Sequence, residues 1–238
     1  MKKRIIRLLL SGILLTATIA SFSQDKKWED TDGNNMVSVN TITKGKYTLV
    51  FINKDTAFDM KVKQRMTNAF FTVYPAEAKK YNIKTAKKVT FIIDPAYDGV
   101  AATGEGIVRF NPAWFHKHPG DIDVVTHEVM HIVQAYPNDA GPGWITEGIA
   151  DYVRHKFGVD NEGADWKLPP YAAKQNYDNS YRITARFFTW IEKHYDKNFV
   201  QKLDAAMRSK KYTDEFCKNA TGKTFAALWS EYGNNSAI

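Results

Sequence analysis

Before residue 112 the apolar residues of this chain mostly alternate with polar ones, apart from one helical stretch; after Asp121 they return at every third or fourth position. That change of period divides the fold, because a strand turns alternate residues to one face and a helix every third or fourth. "MVSVNTIT" (36–43) and "KYTLVFIN" (46–53) read as strands joined through Gly45. "KKVTFIID" (87–94), closed by Pro95, reads as a third strand and "GIVRFNP" (106–112) as a short fourth. Between them Phe58, Val62, Met66, Phe70 and Val73 share one helical face, predicting a helix over roughly 57–74. Further helices are predicted near 121–136, 145–157, 180–194, 197–208 and 223–233. Repeats and low-complexity linkers are absent, so the expectation is one α+β domain over 36–238, a mixed N-terminal sheet with a helix followed by a helical half.

The first 23 residues stand apart. Lys2, Lys3 and Arg4 precede the apolar run "LLLSGILLTATIA" (8–20), and "SFSQ" (21–24) places small residues before a polar start. This is the pattern of a secretory signal, cleaved near Gln24, and the run is too short for a spanning helix of roughly 20 residues. An uncleaved anchor is the alternative. The expectation is a secreted protein, periplasmic or extracellular if bacterial, with no stable membrane insertion after cleavage. Residues 24–35 are polar and read as a loose segment. The signal carries four of the 33 Lys and Arg and none of the 26 acids, which leaves 29 against 26, or +3, on the mature chain. No basic stretch interleaves with aromatics, so nucleic-acid binding is not expected. The single cysteine, Cys217, excludes an internal disulfide and reads as a buried small hydrophobe rather than a catalytic thiol.

The chemistry concentrates in "THEVMHIVQAY" (126–136). On a helix, His127 and His131 share a face and can offer imidazole nitrogens to one cation, while Glu128 stands about 100° round and can reach a water there. Zinc needs a third protein ligand and an open position. "GPGWITEGIADYVRH" (141–155) supplies a chain break and then a second helix with Glu147 and Asp151 at i, i+4. Glu147 can complete a two-histidine, one-glutamate set, and Asp151 can accept an N–H from a ligating histidine and fix its tautomer. The alternative is a solvated face with Asp151 paired to Arg154 or His155. Against it, Trp144, Ile145, Ile149, Ala150 and Val153 surround both acids with apolar residues, and buried acids need partners. His116, His118, His155 and His194 read as surface residues.

"DIDVVTHEVMHIVQAY" (121–136) with "GWITEGIADYVRHKFG" (143–158) resembles the basic secretory protein family of plants and bacteria, zinc metallopeptidases of the gluzincin type. The likeness extends to "VYPAEAKKYN" (73–82), "VTFIIDPAYDGVAAT" (89–103) and "YRITARFFTWIE" (181–192), over roughly 36–235. It implies a zincin-like fold and Zn2+ as cofactor. It also implies His127, His131 and Glu147 as metal ligands, Asp151 behind them, Glu128 as general base and a peptide or protein substrate. In several gluzincins a tyrosine or histidine beyond the glutamate helix stabilises the oxyanion. Tyr181 is the candidate, at the start of a helix that Ser180 could cap, with Tyr177 and Tyr171 as rivals and a buried structural tyrosine as the alternative. The resemblance also implies that an edge strand at "GEGIVRFN" (104–111) holds extended substrate by main-chain hydrogen bonds, where the residues alone allow a plain edge strand. The expectation is a secreted zinc-dependent peptidase in which Glu128 accepts a proton from a metal-activated water. The rival expectations are a protein of the same fold acting on a glycan-linked or other amide substrate, or one binding a cell-surface ligand with little turnover.

Overall fold

The computed structural model describes residues 36–238; the expected signal segment 1–23 and loose segment 24–35 lie outside them. Five strands form one mixed sheet: β1 (Ser38–Lys44), β2 (Tyr47–Asn53), β3 (Lys88–Ile93), β4 (Ala101–Gly104) and β5 (Ile107–Phe110), in the order β1-β2-β3-β5-β4. The β1–β2 and β4–β5 pairs are antiparallel, and β2, β3 and β5 run parallel. Gly45 turns the β1–β2 hairpin at φ 58°, a left-handed conformation that glycine adopts without steric cost.

Period-2 alternation fixes which face is covered. Leu49, Phe51, Val89, Phe91, Val108 and Phe110 are buried on the face toward helix α1 (Met60–Lys80). Phe51 and Phe91 are register partners, and Phe70 of α1 meets Phe91 edge-on with ring centroids 5.5 Å apart. Truncating Phe70 to alanine would cost about 3–5 kcal/mol from lost burial and the cavity left behind. Asp59 caps α1 by accepting from the Lys61 N–H. The helix outruns its expected end near residue 74 and holds Pro75 inside it. An interior proline costs about 3 kcal/mol, and burial of Val73, Tyr74 and Ala78 offsets that here.

The second half is helical, as expected: α2 (Pro112–Lys117), α3 (Val124–Gln134), α4 (Gly143–Phe157), a 3-10 turn (Glu162–Ala164), α5 (Tyr181–His194), α6 (Phe199–Arg208), α7 (Phe216–Thr221) and α8 (Phe225–Asn234). The periodicity missed α2 and α7, each only six residues long. It also missed β4, four half-buried small residues without alternation. The edge strand expected at 104–111 lies elsewhere: 107–110 is an interior strand between β3 and β4, and the edge facing α3 is β4. Among the described residues no helix is long and apolar enough to cross a membrane.

Two buried aspartates clamp α3 to α4. Asp121 accepts from the guanidinium of Arg154 and from the Trp114 indole N–H at 2.9 Å. Asp123 accepts from the Thr126 hydroxyl and, beyond the end of α4, from the backbone N–H groups of Val159 and Asp160. Against α4 lies α5, at a contact only glycine allows: a Cβ on Gly148 would sit 2.3 Å from Cγ2 of Thr184. This close approach brings the start of α5 to the mouth of the α3–α4 pair.

Candidate metal centre

Helical spacing and the α3–α4 clamp bring His127, His131 and Glu147 together. Their facing atoms form a triangle: His127 Nε2 to His131 Nε2 3.2 Å, His127 Nε2 to Glu147 Oε2 3.2 Å, and His131 Nε2 to Glu147 Oε2 3.6 Å. Among the described residues these three are the group whose donor atoms converge as a metal site requires. Zinc–ligand bonds of about 2.0–2.1 Å in tetrahedral array put neighbouring donor atoms about 3.3–3.4 Å apart. The observed triangle fits that spacing.

The outer nitrogens are held as well. His127 Nδ1 donates to Asp151 Oδ1 at 2.7 Å, and His131 Nδ1 meets Gln134 Oε1 at 2.7 Å. With both Nδ1 atoms protonated, two imidazole lone pairs and a carboxylate oxygen point at one another, which requires a cation between them. Without a metal, a proton on His127 serves. Burial opposes that charge, but hydrogen bonds to Asp151 and Glu147 outweigh it and push the imidazolium up to about 10. Burial likewise opposes charge on Glu147, yet hydrogen bonds from His127 and His131 hold its carboxyl well below the usual range.

Glu128 is one position round the helix and buried. The Thr103 hydroxyl of β4 lies 2.6 Å from Glu128 Oε2 and 3.1 Å from the Glu128 carbonyl oxygen, so it ties the carboxylate to the edge strand. Tyr181 is 54% exposed, its ring parallel to that of His127 with centroids 6.1 Å apart. Its hydroxyl is raised above the usual range, by burial first and then by the charges of Glu147, Asp151 and Glu128. Ser180 does not cap α5 through its side chain as expected. Instead Ser180 and Tyr181 both take positive φ, 68° and 48°, which turns the chain so that Tyr181 faces the cleft. Non-glycine residues in that region carry backbone strain and cluster at functional sites.

All these groups line one open cleft of about 1530 Å³, walled on one side by β4. Pockets for small ligands run to about 300–1,000 Å³, so this one suits a longer substrate. The rivals to Tyr181 lie elsewhere: Tyr177 packs on Trp144 and Phe225, Tyr171 on Trp229 and Tyr232. His118, expected on the surface, is exposed but lines the cleft, stacked on Trp114. Cys217 is buried outside the cleft, and that burial pushes its thiol up to about 11. Sequence reasoning missed Gln134, Thr103 and Tyr97, which also line the cleft. Gln134, three residues after His131, had a readable signal in its helical spacing.

A family model described as a peptidase of plants and bacteria matches residues 34–232. The chain belongs to this family. It is the family that the sequence resembles, and the match covers the sheet, the histidine pair and the helices behind it. No curated protein matches by sequence. Among solved structures, an aminopeptidase A of Legionella pneumophila in complex with aspartic acid aligns with a TM-score of 0.54 at 16% identity, covering 82% of this chain and 28% of that one. An aminopeptidase N family protein of Idiomarina loihiensis aligns at 0.47 and 8% identity, covering 84% and 46%. An M1 zinc metallopeptidase of Deinococcus radiodurans aligns at 0.44 and 11% identity, covering 84% and 51%. The chain thus spans between 28% and 51% of these larger proteins. The first likeness is one of fold: this peptidase-family member has a zincin-like α+β architecture.

Proposed function

We propose that the protein is a secreted, zinc-dependent peptidase that hydrolyses peptide bonds. The observation that carries the reading is the donor triangle of His127, His131 and Glu147, whose spacing and charge call for a divalent cation with one position left open. A zinc ion held there would supply Lewis acidity, polarising a water and the scissile carbonyl. The chain's own residues do the rest. Glu128, with one oxygen engaged by Thr103, keeps the other for the water, takes its proton during attack and returns it to the leaving amine. Tyr181 directs its hydroxyl to the oxyanion that develops on the carbonyl oxygen. Asp151 holds His127 with Nε2 turned inward. β4, paired on one side only with β5, offers its outer edge to an extended peptide. Export follows from the signal-like segment 1–23, and mass spectrometry of the native protein should find an N-terminus at or near Gln24.

The test is turnover of a mixed peptide library by protein of known zinc content, with and without chelator. Cleavage that disappears on chelation and returns with one equivalent of zinc is expected. Protein that binds no zinc, or cleaves equally without it, overturns the proposal. Zinc-loaded protein that leaves every peptide intact redirects the search to glycan-linked amides.

A further inference from the structure

We infer that Gln134 is a positioning residue of the metal centre: one neutral amide sets the tautomer of His131 and ties the helix that carries both histidines to the one that carries Glu147. The inference rests on the zinc reading above and adds a residue to it.

The orientation of the Gln134 amide follows from its surroundings. Gln134 is 1% exposed and its side chain hydrogen-bonds at both ends, with the Tyr136 hydroxyl also within reach. At one end Nε2 lies 2.9 Å from the backbone carbonyl of Thr146, the residue immediately before Glu147. A carbonyl can only accept, so the NH2 group must face it, and the amide oxygen is left for His131. At the other end that oxygen lies 2.7 Å from His131 Nδ1, and an amide oxygen can only accept. His131 must therefore carry its proton on Nδ1 and keep Nε2 bare, turned toward His127 and Glu147.

The arrangement is asymmetric. Asp151 holds His127 with a carboxylate; Gln134 holds His131 with an uncharged group. Three carboxylates, Glu128, Glu147 and Asp151, already surround the centre. A carboxylate at position 134 would add a fourth and weaken the Lewis acidity on which the proposed reaction depends. Because Gln134 bridges α3 and α4 beside the ligands, it also fixes how far Glu147 stands from the histidine pair.

The experiment measures zinc affinity by competition against a chromogenic chelator, for the wild type, Gln134→Leu and Gln134→Glu, with far-UV circular dichroism to check the fold. Gln134→Leu removes both hydrogen bonds at similar volume and should weaken zinc binding by about 10–100-fold, the usual effect of losing a partner behind a metal ligand. Gln134→Glu restores an acceptor for His131 Nδ1 and should bind zinc more tightly than Gln134→Leu. Nitrogen-15 NMR of the zinc-loaded wild type should find His131 protonated at Nδ1. That measurement needs no variant, so an Nε2 proton would overturn the inference even if Gln134→Leu does not fold. Wild-type affinity in folded Gln134→Leu, or an Nε2 proton on His131 of the zinc-loaded protein, overturns the inference and leaves the zinc reading standing. Wild type that binds no zinc overturns both.

Discussion

Replacing Glu128 with glutamine separates proton transfer from everything else at this site. The side chain keeps its length and is not one of the three converging donors, so zinc binding and fold should survive. Thr103 restricts what the new amide can do. If the amide oxygen takes the place of Oε2, 2.6 Å from the Thr103 hydroxyl, the NH2 group faces the water and can only donate. If the amide turns over, its oxygen can accept a hydrogen bond from the water but is far too weak a base to keep the proton. Neither orientation rescues catalysis, so the full contribution of a general base is lost, about 10²–10⁴ in rate. At 1.36 kcal/mol per decade this is about 3–5 kcal/mol of barrier. The assay is kcat and KM on a peptide cleaved by the wild type, with zinc content and melting temperature measured on the same preparation. The expected result is one zinc per chain, an unchanged melting temperature and kcat lower by two orders of magnitude or more. A zinc-loaded variant within about tenfold of wild-type kcat would refute the role of Glu128 as base and the reasoning from Thr103 with it.

Thr103→Val removes the hydroxyl at constant shape, so kcat should fall roughly tenfold with zinc content unchanged, and Thr103→Ser should recover most of it; equal rates in Thr103→Val would show that the contact does not position the base. Tyr181→Phe should cost about 10²–10³ in kcat, with KM and zinc content little altered. A lower melting temperature with normal kcat would instead assign the hydroxyl a structural role. Removal of zinc should expose a pH dependence. His127, raised to about 10 in the folded chain from 6.5, contributes stability that is fully present below pH 6.5 and lost as pH rises through 10. Glu147, held low, contributes stability present above its ordinary value near 4.5 and lost as pH falls. The chelated protein should therefore melt progressively lower from pH 7 to pH 10. Asp151→Asn, which removes a main support of the His127 proton, should flatten that decline, and an equally steep loss in the variant would exclude His127 as its source.

The sequence by itself determined whatever is local. The pairing of His127 with His131 is legible because four residues return a helix to the same face, and Glu147 with Asp151 repeats the rule one helix later. The strands of the sheet's interior are legible because burial of one face imposes alternation, and the long helices because burial of a stripe imposes the other period. Cys217 is buried, as expected of a lone small hydrophobe. The tertiary structure decided what depends on two elements meeting. β4 has four small residues and no alternation; it becomes the edge strand by pairing with β5, so the substrate edge expected at 104–111 lies one strand earlier. The helix expected over roughly 57–74 continues through Pro75 to Lys80, where Tyr74 and Ala78 are buried. Ser180 read as a cap, but the chain enters α5 with Ser180 and Tyr181 at positive φ and no side-chain cap. Thr103 and Gln134 are ordinary polar residues in the sequence. Thr103 finds Glu128 on another element, and Gln134, besides His131 on its own helix, finds the Thr146 carbonyl across the interface. Periodicity reports which side of an element is buried; it holds no record of what lies across the interface, and there the hydrogen bonds that hold this site in place are made.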